Sequence, residues 1–371
     1  MTDDRNRAWF VERIEAVAAA VKGLPSEGPV RSVLTDENIA KQRRRAETEP
    51  AIEKALWPPL LTYVHWPWFT VDQLRSLDED VTSLRDHPTG THAHATAWLA
   101  ASANEGRTWR SGLFETSMKA RALAFANGNN NADVAFDVPV PCGRDVDIKL
   151  TIEGRSYYFE CTIITESDED QQVHAAWLEA REEEPDLLLA RPGPFDPPGA
   201  KGPSPYYDAN RFYIKVFDKL QKDGDAARTQ TSDDSPNLLL LSCFPVFGSP
   251  LPFSPALGWV FDELFGGQPN MGSAKTLPPD FSLVDISLLT FLRDQWPNTA
   301  LDLLGCPSRL SGYLMFNCLG LGNSRVNYNA GRPHRISHAE MVMVEAVFGP
   351  VRGWESLGPP RGWAGEMRRS R

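Results

Sequence analysis

Two acidic residues on neighbouring predicted strands are the part of this sequence whose chemistry can be named. Asp147 lies in the alternating run 144–152, and Glu160 lies in the aromatic and β-branched run 156–164. A Glu-Gly-Arg turn at 153–155 separates the runs, which predicts an antiparallel hairpin. On paired strands, Asp147 and Glu160 would share a face and lie within a few ångströms of each other.

Two carboxylates held this close repel each other unless a cation lies between them. Hard oxygen ligands suit Mg²⁺ or Mn²⁺, and such an ion can activate water and offset the charge of a phosphodiester under attack. The pair therefore predicts a metal site for Asp147 and Glu160. Taken singly, each acid also has an ordinary interpretation: Asp147 as an exposed strand residue paired with Lys149, and Glu160 as an outward-facing one.

The surrounding pattern predicts an α/β fold with a mixed sheet flanked by helices. Apolar spacing predicts a helix over 111–126, and three strand-like runs follow it. An amphipathic helix, a continuously apolar strand, a late strand and a last helix are predicted farther along, at 208–222, 237–244, 312–317 and 337–347. Residues 1–106 read as a helical accessory region, with helices predicted within 7–22, 38–56 and 70–84.

The order of these elements and the spacing of the two acids resemble the PD-(D/E)XK nuclease superfamily, over about residues 107–245. Val146-Asp147 matches the PD position, and Glu160 matches the acid of the (D/E)XK motif thirteen residues later. Glu115, near the start of the preceding helix, matches a glutamate that many members use as a further metal or water ligand. The resemblance implies a restriction-endonuclease-like fold and a metal-dependent endonuclease that binds Mg²⁺ or Mn²⁺ through Asp147, Glu160 and Glu115.

One position departs from the family pattern. Thr162 stands where the family has a lysine that orients the attacking water and counters negative charge. In some members the lysine has moved to the following helix, which makes Lys215 a candidate, and Lys149 on the strand of Asp147 is the other. If neither lysine reaches the site, the chain is a catalytically inactive interaction protein with the same fold.

Charge and composition set the expected partners and compartment. The 38 basic and 49 acidic residues give a net charge of −11, which disfavours passive nucleic-acid binding. Residues 164–190 carry nine of the acids and one basic residue, and 191–205 contain six prolines. We interpret 165–209 as an insertion in a nuclease-like domain at 107–348, followed by a tail at 349–371.

The expected substrate is nucleic acid, with DNA favoured over RNA, and the insertion or residues 1–106 would bind a protein partner. No apolar run approaches the length of a membrane span, so no membrane association is expected. Five scattered cysteines without a CxxC pair, and an acidic N-terminus without a secretory pattern, predict a cytoplasmic protein without disulfides or structural zinc.

Overall fold

A computed structural model describes most of the predicted helices and strands. The described residues are 2–48, 71–85, 87, 109–140, 144–164, 230–243, 309–317, 320–326 and 330–349. Lys215, the insertion at 165–209, the predicted helix at 208–222 and the boundary between residues 106 and 107 lie outside them, as does almost all of the tail. The chain divides into two compact units, of which one comprises 1–136, 319–321 and 347–371 and the other 137–318 and 322–346.

The described part of the first unit contains five helices whose apolar positions face inward. They are α1 (Thr2–Lys22), α2 (Pro29–Val33), α3 (Asp36–Thr48), α4 (Val71–Arg85) and α5 (Trp109–Gly128). In α4, every third or fourth residue is buried, namely Leu74, Leu77, Val81 and Leu84. That spacing places the four side chains on one stripe of the helix, which is why the sequence forms a helix here.

Two aspartates of α4 form hydrogen bonds with other helices of this unit. Asp78 is buried and accepts a hydrogen bond of 2.9 Å from the Val30 amide, so it satisfies a donor in the first turn of α2. Burial raises the pKa of the Asp78 carboxyl. Burial also raises the pKa of Asp80 to about 7, although the positive charge of Arg121 and a hydrogen bond from the Ser117 hydroxyl act against that rise.

Among the described residues, six strands form one mixed sheet in the order β1 to β6. They are β1 (Ala132–Pro139), β2 (Asp145–Ile152), β3 (Arg155–Ile164), β4 (Asn237–Cys243), β5 (Leu310–Asn317) and β6 (Gly320–Val326). Strands β2 and β3 are antiparallel, whereas β3, β4 and β5 run parallel to one another. Together with the helices, this sheet confirms the predicted α/β class. Strand β6 was not predicted.

The β2–β3 hairpin forms as its sequence predicts. Val146, Ile148, Leu150 and Ile152 are buried, and the residues between them are more exposed. The turn residues Glu153 and Gly154 have φ angles of 51° and 81°, as a type I′ turn requires. The register pairs Ile148 with Phe159, both fully buried, so the hairpin places its apolar set in the core.

The last described helix, α6 (His338–Phe348), is anchored at its start by a capping box. The Ser337 hydroxyl accepts a hydrogen bond from the Glu340 amide, and the Glu340 carboxylate accepts one from the Ser337 amide. Glu340 also accepts a hydrogen bond of 2.8 Å from the Tyr157 hydroxyl, which ties the helix to β3. Within the described part of the chain, no helix is long and apolar enough to cross a membrane.

Candidate metal centre

The carboxylate of Asp147 lies where β2 stops pairing with β3. The antiparallel ladder ends at Ile148 and Phe159, so Asp147 is the first residue beyond it. Its Oδ2 atom accepts a hydrogen bond of 2.6 Å from the Cys161 amide. The side chain thus binds a main-chain donor of β3, which helps to fix its orientation.

A second aspartate lies beside it. Asp137, in the second half of β1, offers a carboxylate oxygen within 4.8 Å of one from Asp147, and both side chains are half-buried. Asp137 has a φ of 50°, in the left-handed region that aspartate adopts more readily than most residues. This conformation lies within β1, directly after the buried Phe136. The acidic pair therefore comes from two strands, with Asp137 in β1 and Asp147 in β2.

The chemistry of this pair suits a hard divalent cation. Two ionised carboxylates within 4.8 Å repel each other, and partial burial strengthens that repulsion. Carboxylate oxygens are the ligands that Mg²⁺ and Mn²⁺ prefer, and exposure on one side leaves positions for water and phosphate oxygens. Asp137 and Asp147 are therefore residues that could hold such an ion.

Glu160 lies on the same face of the hairpin as Asp147 but in a different setting. Lys149 pairs with Tyr158, and alternation from that pair places Asp147 and Glu160 on one face. Glu160 is 4% exposed and lines a small pocket whose other polar side chains come from Tyr158, Gln230, Thr231 and Asn237. Among the described residues, Glu160 does not belong to a group of three ligand side chains within 4.8 Å of one another. A cation shared by Asp147 and Glu160 stays a prediction.

The pocket beside Glu160 has one wall fixed by hydrogen bonds. Asn237 Nδ2 donates to the carbonyl oxygens of Ser232, Ser235 and Arg309, and Asn237 Oδ1 accepts from the Ser232 amide. The ring of buried His334 lies against the same wall, with Nδ1 2.8 Å from the Ser235 carbonyl oxygen. These bonds hold the chain entering β4 in place next to Glu160.

The lysine candidates differ in what the structure describes. Lys149 lies two residues after Asp147 and holds its Nζ atom 5.7 Å from the centre of the Tyr158 ring, as in a cation–π interaction. Lys215 lies outside the described residues. Thr162 is buried at 7% exposure and supplies a hydroxyl but no positive charge. The choice between Lys149 and Lys215 as the lysine of the site therefore stays open.

Glu115, the remaining predicted ligand, lies on α5 in the first unit. Its Oε1 atom accepts a hydrogen bond of 2.6 Å from Lys119 Nζ, one helical turn later. The Lys119 side chain is 3% exposed, whereas that of Glu115 is 35% exposed. Lys119 Nζ also lies 6.0 Å from the centre of the Phe136 ring. The predicted ligand Glu115 is therefore ion-paired with the buried Lys119.

Sequence reasoning missed Asp137 and Lys119. Asp137 reads as one polar position in an alternating strand, and only its backbone angle distinguishes it. The signal that could have drawn attention is the sequence Phe136-Asp137-Val138-Pro139, with an acid two residues before the proline that ends β1. Lys119 follows Glu115 at the spacing of an exposed helical ion pair, and its burial has no signature in the sequence.

Comparison with known proteins gives no match: no protein-family model fits the chain, and no curated protein or solved structure is significantly similar to it.

Proposed function

We propose that this chain is a metal-dependent nuclease that hydrolyses phosphodiester bonds of nucleic acid. The observation that carries the proposal is the pair of half-buried carboxylates, Asp137 and Asp147, within 4.8 Å of each other at the end of the β2–β3 ladder. The element order around the pair also supports it. A helix precedes β1 to β3, and β4 returns parallel to β3, as the nuclease resemblance implies.

Each acid has a role in this proposal. Asp137 and Asp147 would hold Mg²⁺ or Mn²⁺, and the hydrogen bond from the Cys161 amide orients the Asp147 carboxylate for that role. Glu160 and Glu115 are proposed as further oxygen ligands, directly or through water, as the resemblance implies. When bound, the ion would lower the pKa of a water molecule and offset charge on a phosphate oxygen.

The proposed reaction is an ordinary hydrolysis. A water molecule gives up a proton and forms a bond to phosphorus, and the bond from phosphorus to one bridging oxygen breaks. The departing oxygen takes up a proton, so the products are a phosphate end and a hydroxyl end. Glu160 is the proposed acceptor of the water proton, since it is the buried carboxylate on the face that carries Asp147.

The finer predictions belong to the same proposal. We place the chain in the restriction-endonuclease-like class, with the helices of the first unit as an accessory region and DNA as the favoured substrate. A cytoplasmic location goes with it, because scattered cysteines without pairs suit a reducing compartment.

Cleavage of supercoiled plasmid and of single-stranded RNA, with Mn²⁺ or with EDTA, tests this function. We expect Mn²⁺-dependent cleavage by the wild type and a loss of at least about 100-fold in Asp147→Ala and Asp137→Ala. Asp145→Ala is the matched control, because Asp145 is an exposed acid on the same strand, two residues from Asp147. Unchanged cleavage in both site variants, with full circular dichroism, would contradict the proposal.

A second function is favoured by one observation. Thr162 is a buried hydroxyl where the nuclease pattern has a lysine, which suits a catalytically inactive nuclease fold that binds a protein or nucleic-acid partner. The insertion at 165–209 would then serve that partner. Metal binding separates the two functions: the nuclease should bind Mn²⁺ and lose it with Asp147→Asn, whereas the inactive module should bind no metal in either form.

A further inference from the structure

A buried arginine of the first unit binds the main chain at the last residue of α6. Arg121 lies on α5 and is only 6% exposed. Its Nη1 atom donates a hydrogen bond of 2.8 Å to the carbonyl oxygen of Phe348, a fully buried residue of the same unit. The helix dipole favours a positive charge at the C-terminal end of a helix, so this bond stabilises the last turn of α6.

A carboxylate of α4 lies near this arginine and has a different hydrogen-bond partner. Asp80 is half-buried, and its Oδ2 atom accepts a hydrogen bond of 3.2 Å from the hydroxyl of buried Ser117. Ser117 precedes Arg121 by one turn of α5, so the two side chains lie on one face of that helix. We refer to Asp80, Ser117, Arg121 and the Phe348 carbonyl as the α5 cluster. All four belong to the first unit.

Asp80 is the member of the α5 cluster whose charge changes near neutral pH. Burial raises the pKa of Asp80 to about 7, although Arg121 and the Ser117 hydroxyl favour its ionised form, and Glu79 adds to the rise. Of the helices that pack against α4, only α5 supplies a charged group acting on Asp80 among the described residues, and that group is Arg121. Burial lowers the pKa of Arg121 to about 10, so Arg121 stays charged between about pH 5 and 8.

We propose that loss of the proton from Asp80 moves the Arg121 guanidinium from the Phe348 carbonyl to the Asp80 carboxylate and so releases the last turn of α6. An ionised carboxylate can accept two parallel hydrogen bonds from a guanidinium, which a single carbonyl oxygen cannot. Protonated Asp80 carries no charge to attract Arg121, so Arg121 then stays bound to Phe348. The α5 cluster is therefore a proton-sensitive anchor for the end of α6, whether or not the chain cleaves nucleic acid.

The last turn of α6 should lose protection from hydrogen–deuterium exchange as pH rises. The full-length protein is measured between about pH 5 and 8, with rates corrected for the intrinsic pH dependence of exchange. Protection of peptides covering 344–348 should fall by at least about tenfold in total, since one proton changes an opening equilibrium by up to about tenfold per pH unit. At each pH, these peptides should exchange faster than peptides of α1, because the end of α6 opens before the unit unfolds.

Three variants assign this loss of protection to the α5 cluster. Asp80→Asn should keep the protection of 344–348 within about twofold over the whole range, because a neutral side chain leaves Arg121 on Phe348. Arg121→Met should have the low protection of the released state already at pH 5 and show no further fall. Ser117→Ala removes a hydrogen bond that favours ionised Asp80, so the fall should move to higher pH.

Two control variants of the first unit should keep the pH dependence of the wild type. Arg31→Met removes another arginine that donates to a main-chain carbonyl, in this case that of Leu24 at 3.0 Å. Glu27→Gln removes an exposed acid outside the α5 cluster. A change of pH dependence in either control would show that any loss of charge in this unit affects the end of α6, which would overturn the assignment.

Several results would overturn the inference. Protection of 344–348 that is independent of pH, or that increases with pH, would show that ionised Asp80 does not draw Arg121 away from Phe348. A fall of wild-type size in Asp80→Asn or in Arg121→Met would place the titrating group or the anchor elsewhere. Protection equal to that of α1 at every pH would show that the end of α6 opens only when the unit unfolds. Should Arg121→Met fail to fold, Asp80→Asn and the shift in Ser117→Ala decide the question.

Discussion

Replacing Asp137 with asparagine should stabilise the metal-free protein. The carboxylate oxygens of Asp137 and Asp147 lie within 4.8 Å of each other, and both side chains are half-buried. Two unit charges at that separation repel by about 1 kcal/mol in a water-like dielectric and by about 3 kcal/mol at an effective dielectric of 20. The Asp137→Asn variant should therefore gain about 1 to 3 kcal/mol in free energy of unfolding when metal is absent.

Substitution of Asp137 with asparagine removes the side-chain charge and leaves the backbone conformation unchanged. Asp137 has a φ of 50°, and asparagine adopts the left-handed region as readily as aspartate, so the substitution adds no backbone strain. Asp145→Asn is the matched control, because Asp145 is an exposed acid of β2. Its free energy of unfolding should stay within about 0.5 kcal/mol of the wild type.

With Mn²⁺ bound, the wild type should become more stable than Asp137→Asn. At a concentration 100 times the Kd, the ion stabilises the wild type by about 2.7 kcal/mol, and the variant should gain much less. The assay is urea unfolding in EDTA and in Mn²⁺, followed by hydrogen–deuterium exchange of peptides from β2 and β3, which reports on this unit alone. The reasoning is refuted if Asp137→Asn is less stable than the wild type in EDTA, or if Mn²⁺ stabilises both equally.

Three further predictions concern the fold. Because burial raises the pKa of Asp80 to about 7, the folded state keeps a proton that the unfolded state releases near pH 4. The free energy of unfolding should therefore fall by up to about 4 kcal/mol as pH rises from 4 to 7. In urea titrations, Asp80→Asn should make the free energy of unfolding less dependent on pH. Gly28→Ala should lower the free energy of unfolding, measured by thermal unfolding, by about 1 to 2 kcal/mol, because the added Cβ would lie 2.6 Å from Oδ2 of buried Asp78. An unchanged free energy of unfolding in Gly28→Ser would contradict this. Tyr157→Phe should cost about 1 kcal/mol by losing its bond to Glu340, and no loss in chemical denaturation would show that bond to be dispensable.

Local pattern was enough to predict the hairpin that carries Asp147. The residues of β2 alternate cleanly, and the Glu153-Gly154 turn has the φ angles that its sequence favours. The apolar run of β4 likewise became a strand with neighbours on both sides, which is why all its described side chains are buried. Such elements are predictable because the period of the hydrophobic pattern in the sequence matches the period of the side chains along the strand.

The partners of Asp147 were harder to predict, because they depend on pairing across the chain. Alternation and register place Glu160 on the face of Asp147, as expected, but the nearby carboxylate comes from Asp137 on another strand. Its approach depends on a positive φ that no periodicity encodes. In the same way, Lys119 has the spacing of a surface ion pair, and only the packing around α5 makes it a buried cation.

The most direct test of a shared cation is the stoichiometry and affinity of Mn²⁺ for the full-length protein, measured by electron paramagnetic resonance. We predict at least one Mn²⁺ bound by the wild type, with affinity weakened at least about tenfold by Asp147→Asn and by Asp137→Asn and unchanged by Asp145→Asn. Equal affinity in all four proteins, or no bound Mn²⁺ in the wild type, would contradict the account.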